Sequence, residues 1–138
     1  MAGRSSRAFV DERLKQIPLF ASCSQKELRD ISRRMTTVDV EAGTALAQEG
    51  KLGSEFVVIV EGTAKVTRGG ATLATLGPGD YFGEVALLDD RHVRTASVSA
   101  ETNMVIEVVD VRDFNSLLDE QPRIATKLLT GLAKLIHA

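Results

Sequence analysis

The sequence predicts a mainly β fold with flanking helices, a β jelly roll (double-stranded β-helix) preceded by N-terminal helices and followed by two more. Between residues 36 and 111, short apolar or alternating runs are separated by glycines, a pattern typical of β-sandwiches and jelly rolls. On both sides of this region, apolar residues recur at helical spacing instead. A chain of 138 residues is the right length for one domain of this kind.

The domain organisation follows from these changes of pattern. We expect a single domain over 1–138, with N-terminal helices in 1–35, the jelly roll in 36–111 and the C-terminal helices in 112–138. The one cysteine, Cys23, rules out an internal disulfide framework, fits a reducing compartment and is interpreted as a loop or packing residue. No apolar run approaches the roughly 20 residues that span a bilayer, so we expect a cytoplasmic location and no membrane segment.

Charge is distributed unevenly along the chain. Residues 1–38 carry 8 Lys/Arg and 4 Asp/Glu, residues 39–121 carry 6 and 15, and residues 122–138 carry 3 and none. The acidic central body argues against non-specific nucleic acid binding by that part of the chain. An anionic ligand there requires a local positive pocket.

Two helices are predicted before the β region. Val10–Gln16 has helical spacing and ends at Pro18, and the segment before it, Met1–Arg7, is interpreted as a short mobile tail. Ser24 and Glu27 have the spacing of a capping box at the start of the second helix.

Seven runs are predicted to be strands: Thr36–Val40, Ala45–Gln48, Phe56–Glu61, Thr63–Arg68, Ala71–Leu76, Thr95–Ala100 and Val105–Val111. The run Phe56–Val60 is continuously apolar, which predicts a central strand covered on both faces. Gly69 and Gly70 lie between two alternating runs and predict a two-residue hairpin turn.

After Val111 the helical pattern returns. Asp110 is expected to cap a helix over Asp113–Glu120, and Pro122 to begin a second helix that ends at His137. The apolar stripe of this last helix consists of Ile124, Leu128, Leu129, Leu132, Leu135 and Ile136. Gly131 interrupts the helix and is interpreted as a pivot.

The stretch Gly79–Ser99 carries the candidate chemistry. Gly83 lets the backbone approach a ligand closely, and a helical turn over Val85–Leu88 would present unpaired N–H groups to an anion. Arg94, predicted to open the next strand, can pair bidentately with a phosphate. Glu84 would be repelled by that phosphate, so we interpret it as an acceptor for sugar hydroxyls.

The runs Phe82–Leu88 and Arg94–Val98 resemble the phosphate-binding cassette of cyclic nucleotide-binding domains, with the arginine eleven positions after Gly83. Such domains occur in catabolite-activator-type transcription factors, in regulatory subunits of cyclic-AMP-dependent kinase and in cyclic-nucleotide-gated channels. The resemblance extends over about Leu14–Ile136.

The resemblance implies roles for the cassette residues. Arg94 would hold the cyclic phosphate, Glu84 would take the ribose 2′-hydroxyl, and Gly83, Ala86 and Thr95 would donate backbone N–H groups. Leu76 and, from the last helix, Leu132, Leu135 or Ile136 are candidates to cover the base, although core packing explains these residues equally well. The predicted ligand-binding set is Gly83, Glu84, Val85, Ala86, Arg94, Thr95, Leu76 and Leu132.

The resemblance also implies the function. We expect a sensor for a cyclic nucleotide, with cyclic AMP favoured because the family uses it widely; Thr95 after the arginine leaves cyclic GMP open. Binding would reposition the two C-terminal helices as a lid and signal to an effector protein or domain not identified by the sequence. No catalytic arrangement, metal site or cofactor is expected, because the chain's two histidines, His92 and His137, lie far apart.

Other interpretations stay open. The same fold could serve as a protein-interaction scaffold that binds no nucleotide, or be the truncated sensor domain of a transcription factor or channel. No helix-turn-helix fits after the last helix, so we expect no direct DNA binding by this chain, and a monomer or weak dimer. Arg94 could instead pair with Asp89 or Asp90, and His92 is interpreted as a loop residue that faces solvent.

Overall fold

The chain folds into two four-stranded antiparallel sheets with helices before and after them. The computed structural model describes the backbone of residues 2–89 and 91–136 and the side chains of residues 7–89, 91–131 and 133. The strands are β1 (Thr36–Val40), β2 (Ala45–Ala47), β3 (Glu55–Glu61), β4 (Ala64–Arg68), β5 (Ala71–Leu76), β6 (Tyr81–Phe82), β7 (Ser97–Ala100) and β8 (Met104–Asp110). One sheet has the order β1-β8-β3-β6 and the other β2-β7-β4-β5. The predicted mainly β jelly roll is therefore confirmed.

The helices form a layer against the first of these sheets. They are α1 (Ala2–Gln16), α2 (Gln25–Arg33), α3 (Val111–Glu120) and α4 (Pro122–Ile136). Two short 3₁₀ turns complete the structure, the proline turn (Pro18–Phe20) and the cassette turn (Glu84–Leu87). Across the described residues, no helix combines the length and the apolarity needed to cross a bilayer.

Strand β3 has the central position that its apolar run predicted. Its neighbours are β8 and β6, and its side chains alternate between two cores. Phe56 and Val58 pack among the helices, whereas Val57 and Ile59 pack between the two sheets. One strand thus joins the helical layer to the interior of the jelly roll.

The hairpin at Gly69 and Gly70 also forms as predicted. Both glycines have positive φ, +56° and +83°, which suits a two-residue turn between twisted strands. Arg68 faces Ala71 across the turn, so this register places the Arg68 side chain at the end of β4.

The N-terminal segment differs from its prediction. Helix α1 begins at Ala2, so the interpretation of Met1–Arg7 as a mobile tail is wrong for the described part. The apolar spacing identified only the buried half of this helix, since Val10 and Leu14 have no exposed surface. The part before Val10 is held instead by Arg7, whose guanidinium lies 3.0 Å from Glu107 of β8.

Helix α2 begins as the capping box predicted. The Ser24 side chain accepts from the Glu27 N–H at 3.1 Å, and Glu27 accepts in return from the Ser24 N–H at 2.7 Å. Cys23, just before it, is buried in the core, and this burial, followed by the charge of Glu27, raises the pKa of its thiol to about 11. A thiol of this kind packs and stays protonated at neutral pH.

The C-terminal helices also begin where predicted, at the Asp110 cap and at Pro122. Gly131 lies where α4 crosses the proline turn, and its role as a pivot stays a prediction. A Cβ on Gly131 would lie 2.7 Å from the Leu19 carbonyl oxygen and 2.8 Å from that of Pro18. The side chains of Leu132, Leu135 and Ile136, assigned to the apolar stripe, lie outside the described residues, as does His137.

The segment before β7 is the main correction to the predicted strands. Arg94 and Thr95 were expected in the strand, but β7 begins at Ser97. The Arg94 N–H donates to the Lys51 carbonyl at 2.8 Å, and the Arg94 carbonyl accepts from the Gly50 N–H at 2.9 Å. These bonds to a turn replace strand pairing. The seven predicted strand runs did not include the two-residue strand β6, because a run so short between glycine turns carries no periodicity.

Candidate functional site

A cavity of about 410 Å³ lies between the second sheet and the cassette turn. Its apolar side is formed by Ala47, Val66, Leu76 and Val98, which come from four different strands or their ends. Its other side carries the polar and charged side chains Glu84, His92, Arg94 and Thr95. The cavity thus offers an apolar surface for a ring system and a charged surface for an anion and for hydroxyl groups.

Arg94 forms the cationic wall of this cavity. Its Nη2 donates to the Glu55 carbonyl oxygen at 2.9 Å, and its guanidinium lies 5.9 Å from the centre of the Phe82 ring. Among the described residues it forms no ion pair with Asp89 or any other carboxylate within 4.0 Å; Asp90 lies outside the described residues. The guanidinium is therefore held in place by a carbonyl and a ring, with donors left to face the cavity.

The electrostatic surroundings of Arg94 are mixed. Burial lowers the pKa of its guanidinium, while the carboxylates of Glu55 and Glu84 raise it. A half-buried cation without a direct carboxylate partner is incompletely compensated. The position thus favours an incoming anion.

Two glycines make room for the arginine. A Cβ on Gly53 would lie 2.6 Å from Arg94 Nε, and a Cβ on Gly83 would lie 2.6 Å from Arg94 Nη1 and closer still to the Glu55 carbonyl oxygen. Gly83 also has a φ of +87°, which is strained for residues with a Cβ. The close approach expected at Gly83 is therefore present, and it involves the arginine and β3.

The cassette turn is tighter than the helical turn expected at Val85–Leu88 and begins one residue earlier. It is a four-residue 3₁₀ turn that begins at Glu84, and the Ala86 N–H donates to the Gly83 carbonyl at 3.1 Å. That N–H is thus engaged within the turn. Glu84 lines the cavity and lies near Tyr81, whose pKa is raised by burial first and then by the charges of Glu84 and Asp80.

The structure brings most of the predicted ligand-binding residues together. Six of the eight line the one cavity: Leu76, Gly83, Glu84, Val85, Arg94 and Thr95. Ala86 is a fully buried residue of the turn itself and does not line the cavity. The side chain of Leu132 lies outside the described residues.

Sequence reasoning missed several parts of the site. His92 was assigned to solvent, but it is half-buried and lines the cavity. Phe82 was quoted within the cassette without a role, and its ring lies beneath the Arg94 guanidinium. The Glu55 carbonyl oxygen left no sequence signal, because any residue supplies a carbonyl and only the pairing of β3 places this one.

A second, smaller cavity of about 200 Å³ lies behind the first and shares its wall. Tyr81, Glu84 and Val85 line both cavities. The far side of the second cavity is formed by Ile17, Pro18 and Leu19, with Leu88 at its edge. Glu84 and Val85 of the cassette turn therefore face the larger cavity on one side and the proline turn on the other.

Comparison with known proteins identifies the family to which this fold belongs. The family model described as "Cyclic nucleotide-binding domain" matches residues 37–121. The chain belongs to the cyclic nucleotide-binding domain family. The match covers every strand and all of the cavity's lining, apart from the first residue of β1.

Curated relatives of this cyclic nucleotide-binding domain include protein kinases and their subunits. The chain is 38% identical over 114 residues to the cAMP-dependent protein kinase regulatory subunit of Yarrowia lipolytica, covering 81% of this chain and 30% of the relative. It is 34% identical over 107 residues to the cGMP-dependent protein kinase of Plasmodium berghei, covering 77% of this chain and 12% of the relative. The chain thus spans less than a third of the length of either protein.

A solved structure is similar over nearly the whole domain. It is the N-terminal domain of a transcriptional regulator from Streptomyces coelicolor A3(2), with a TM-score of 0.81 and 29% identity. The similarity covers 91% of this chain and 92% of that one. Both flanking helical regions of the cyclic nucleotide-binding domain are therefore shared with a solved relative, beyond the part matched by the family model.

Proposed function

We propose that this domain is a cyclic nucleotide sensor, with cyclic AMP as the favoured ligand, and that binding repositions the C-terminal helices. The observation that carries the proposal is Arg94. Its half-buried guanidinium lines a cavity of about 410 Å³, and among the described residues no carboxylate pairs with it directly. A cyclic phosphate supplies the missing charge and accepts two hydrogen bonds from one guanidinium.

The other cavity residues suit the rest of a nucleotide. Glu84 can accept hydrogen bonds from ribose hydroxyls, and Gly83 lines the same cavity beside it. Thr95 adds a hydroxyl beside Arg94, and Val85 forms part of the same wall. Leu76 lies on the apolar side of the cavity and supports the base, and we retain Leu132 as a second candidate for covering it.

The choice of cyclic AMP rests on the relatives. The Yarrowia protein is a cAMP-dependent kinase regulatory subunit, and the Schizosaccharomyces pombe protein of the same description is 34% identical over 113 residues. The cGMP-dependent kinase of Plasmodium berghei keeps cyclic GMP as the second candidate. We propose a regulatory role without catalysis, and an effector protein or domain as the recipient of the signal.

A route from ligand to helices runs through the second cavity. The cassette turn carries Glu84 and Val85, and behind it lies the proline turn. The proline turn in turn contacts α4 at Gly131, where the two backbones approach closely. A ligand that displaces the cassette turn therefore acts on a surface directly against α4. It shifts the helices only as far as its affinities for the two arrangements differ.

We further propose the domain limits given by this arrangement. Residues 1–35 form the N-terminal helical part, 36–111 the jelly roll with the cassette at 79–99, and 112–138 the moving helices. Within one domain, the cavity and the helices are close enough for such coupling.

A nucleotide-independent scaffold of the same fold is the alternative, and the exposed cassette residues Val85 and Leu88, at 44% and 45% exposure, would serve it as contact points.

Calorimetric titration with cyclic AMP and cyclic GMP tests the sensor proposal. We expect saturable binding, with Arg94→Ala weakening it by about 2–5 kcal/mol because a buried, charge-assisted contact to the ligand is lost. Arg112→Ala is the matched control, since the Arg112 side chain is 91% exposed and lies 3.6 Å from the Asp110 carboxylate. Unchanged affinity in Arg94→Ala would refute the site, and no binding of either nucleotide would favour the scaffold.

A further inference from the structure

We infer that Arg68, at the end of the β4–β5 hairpin, is a positioning residue for the ligand site, because it fixes the peptide unit that follows Thr95. The inference deepens the proposed function and rests on it for the identity of the ligand. Arg68 lies outside the cassette and does not line the cavity. Its Nε donates to the Thr95 carbonyl oxygen at 2.9 Å.

The segment from Arg94 to Ala96 is held at two successive carbonyls. The Gly50 N–H donates to the Arg94 carbonyl at 2.9 Å, and Arg68 holds the next carbonyl in line. The segment has no strand partners of its own, because β7 begins only at Ser97. These two bonds therefore determine how its peptide planes are turned.

Because the peptide unit is planar, these two contacts also fix the directions of two backbone N–H donors, those of Thr95 and Ala96. In a trans peptide, the carbonyl and the N–H of the same unit point to opposite sides, and no cis peptide is present among the described residues. Holding the Arg94 carbonyl orients the Thr95 N–H away from Gly50, and holding the Thr95 carbonyl orients the Ala96 N–H away from Arg68. Thr95 and Ala96 both line the cavity, so the Ala96 N–H is the donor that Arg68 presents to a bound anion.

The hairpin that carries Arg68 is itself fixed to the same end of the sheet. The Glu49 carboxylate accepts from the Gly69 N–H at 3.0 Å, and the Glu49 N–H donates to Ser97 Oγ at 2.9 Å. Glu49 thus links the hairpin turn to the first residue of β7. The backbone from which the exposed Arg68 side chain extends is therefore held in place.

The test compares two uncharged replacements of Arg68. Gln carries an N–H at the same number of bonds from the backbone as Arg Nε, whereas Met has similar length and no donor. We expect Arg68→Met to weaken cyclic AMP binding about three- to tenfold, the usual effect of one hydrogen bond, and Arg68→Gln to stay within about twofold of the unaltered protein. Both variants should melt within about 2 °C of it, because the contact is on the surface.

Lys65→Met is the control for charge, since it removes a cation from the same strand without touching residues 94–96, and we expect unchanged affinity. Equal weakening by Arg68→Gln and Arg68→Met, or by Lys65→Met, would overturn the inference in favour of simple electrostatics. The NMR chemical shift of the Ala96 amide in ligand-free protein gives an independent result. We expect it to change in Arg68→Met and to stay the same in Arg68→Gln. This signal tests the positioning role even if the protein binds no cyclic nucleotide, which would refute only the proposed function.

Discussion

Gly83 combines an unusual backbone conformation with a close contact to Arg94 of the candidate ligand site. Its φ of +87° lies in the region that favours glycine. A side chain there would meet the Glu55 carbonyl oxygen, which belongs to the central strand, and Arg94 Nη1. Neither neighbour moves without cost, since the carbonyl belongs to a paired strand and the guanidinium is bound to that same carbonyl.

We predict that Gly83→Ala lowers the free energy of unfolding by about 1–3 kcal/mol through strain. We also expect cyclic nucleotide binding to weaken about tenfold or more, because the displaced Arg94 loses a charge-assisted contact. Urea unfolding and calorimetric titration measure the two effects separately.

Gly43→Ala is the matched control for this change. Gly43 has nearly the same φ, +90°, but nothing lies within 4 Å of the position of its Cβ. The Gly43→Ala variant should lose unfolding free energy through backbone strain alone, and its affinity for the cyclic nucleotide should be unchanged. If Gly83→Ala also kept full affinity, the packing of Arg94 against this glycine would have no part in binding.

Helix α4 is positioned by its close crossing of the proline turn at Gly131. Helix propensity alone predicts that Ala in place of Gly stabilises a helix interior by about 1 kcal/mol. The geometry predicts the opposite sign here, since the added methyl would lie 2.7 Å from the Leu19 carbonyl oxygen. Because the obstructing atoms belong to the backbone and not to a flexible side chain, α4 would have to shift to accommodate the methyl group.

We therefore predict that Gly131→Ala destabilises the protein by about 1–3 kcal/mol, as overpacking does, measured by urea unfolding. Thr130→Ala, one residue earlier on the exposed face, should change stability by no more than about 0.5 kcal/mol. A stabilised Gly131→Ala variant would show that helix and turn separate freely, in conflict with the coupling route proposed for α4.

The helical layer and the jelly roll are tied together by an ion pair. Glu107 of β8 has no exposed surface, and Arg7 of α1 lies 3.0 Å from it with 34% of its side chain exposed. Arg7 also donates to the Met35 carbonyl at 3.3 Å and to that of Ser32. One guanidinium thus joins α1, the end of α2 and the sheet.

We predict that Arg7→Met costs about 2–4 kcal/mol of unfolding free energy, less than for a fully buried pair because Arg7 is partly exposed. Arg33→Met is the control, since Arg33 is 70% exposed and lies 3.8 Å from Asp30, and should cost about 1 kcal/mol or less. Replacing Glu107 by Met as well should restore much of the loss, because no charge is then left buried. If the losses of unfolding free energy in the two single variants simply add in the double variant, this would argue against a direct interaction between Arg7 and Glu107.

Local patterns were enough for much of the fold and part of the site. The strands with alternating or continuous apolar residues, the Gly69-Gly70 hairpin, the capping box at Ser24 and the cap at Asp110 all depend on neighbours a few residues apart. The cassette was recognisable for the same reason, since Gly83 and Glu84 lie beside each other and Arg94 follows in the same stretch. Chemistry that resides in a short segment can be predicted from that segment.

Other features exist only where distant segments meet. The Glu55 carbonyl that holds Arg94, the contact of Arg68 with Thr95 and the fit of Gly131 against the proline turn each join residues far apart in sequence. All three contacts involve backbone carbonyl oxygens, which every residue type has, so the identity of the residue that supplies the oxygen carries no signal. The sequence determines which residues bear the charge and the flexibility, whereas the pairing of strands and the packing of helices determine which backbone groups they meet.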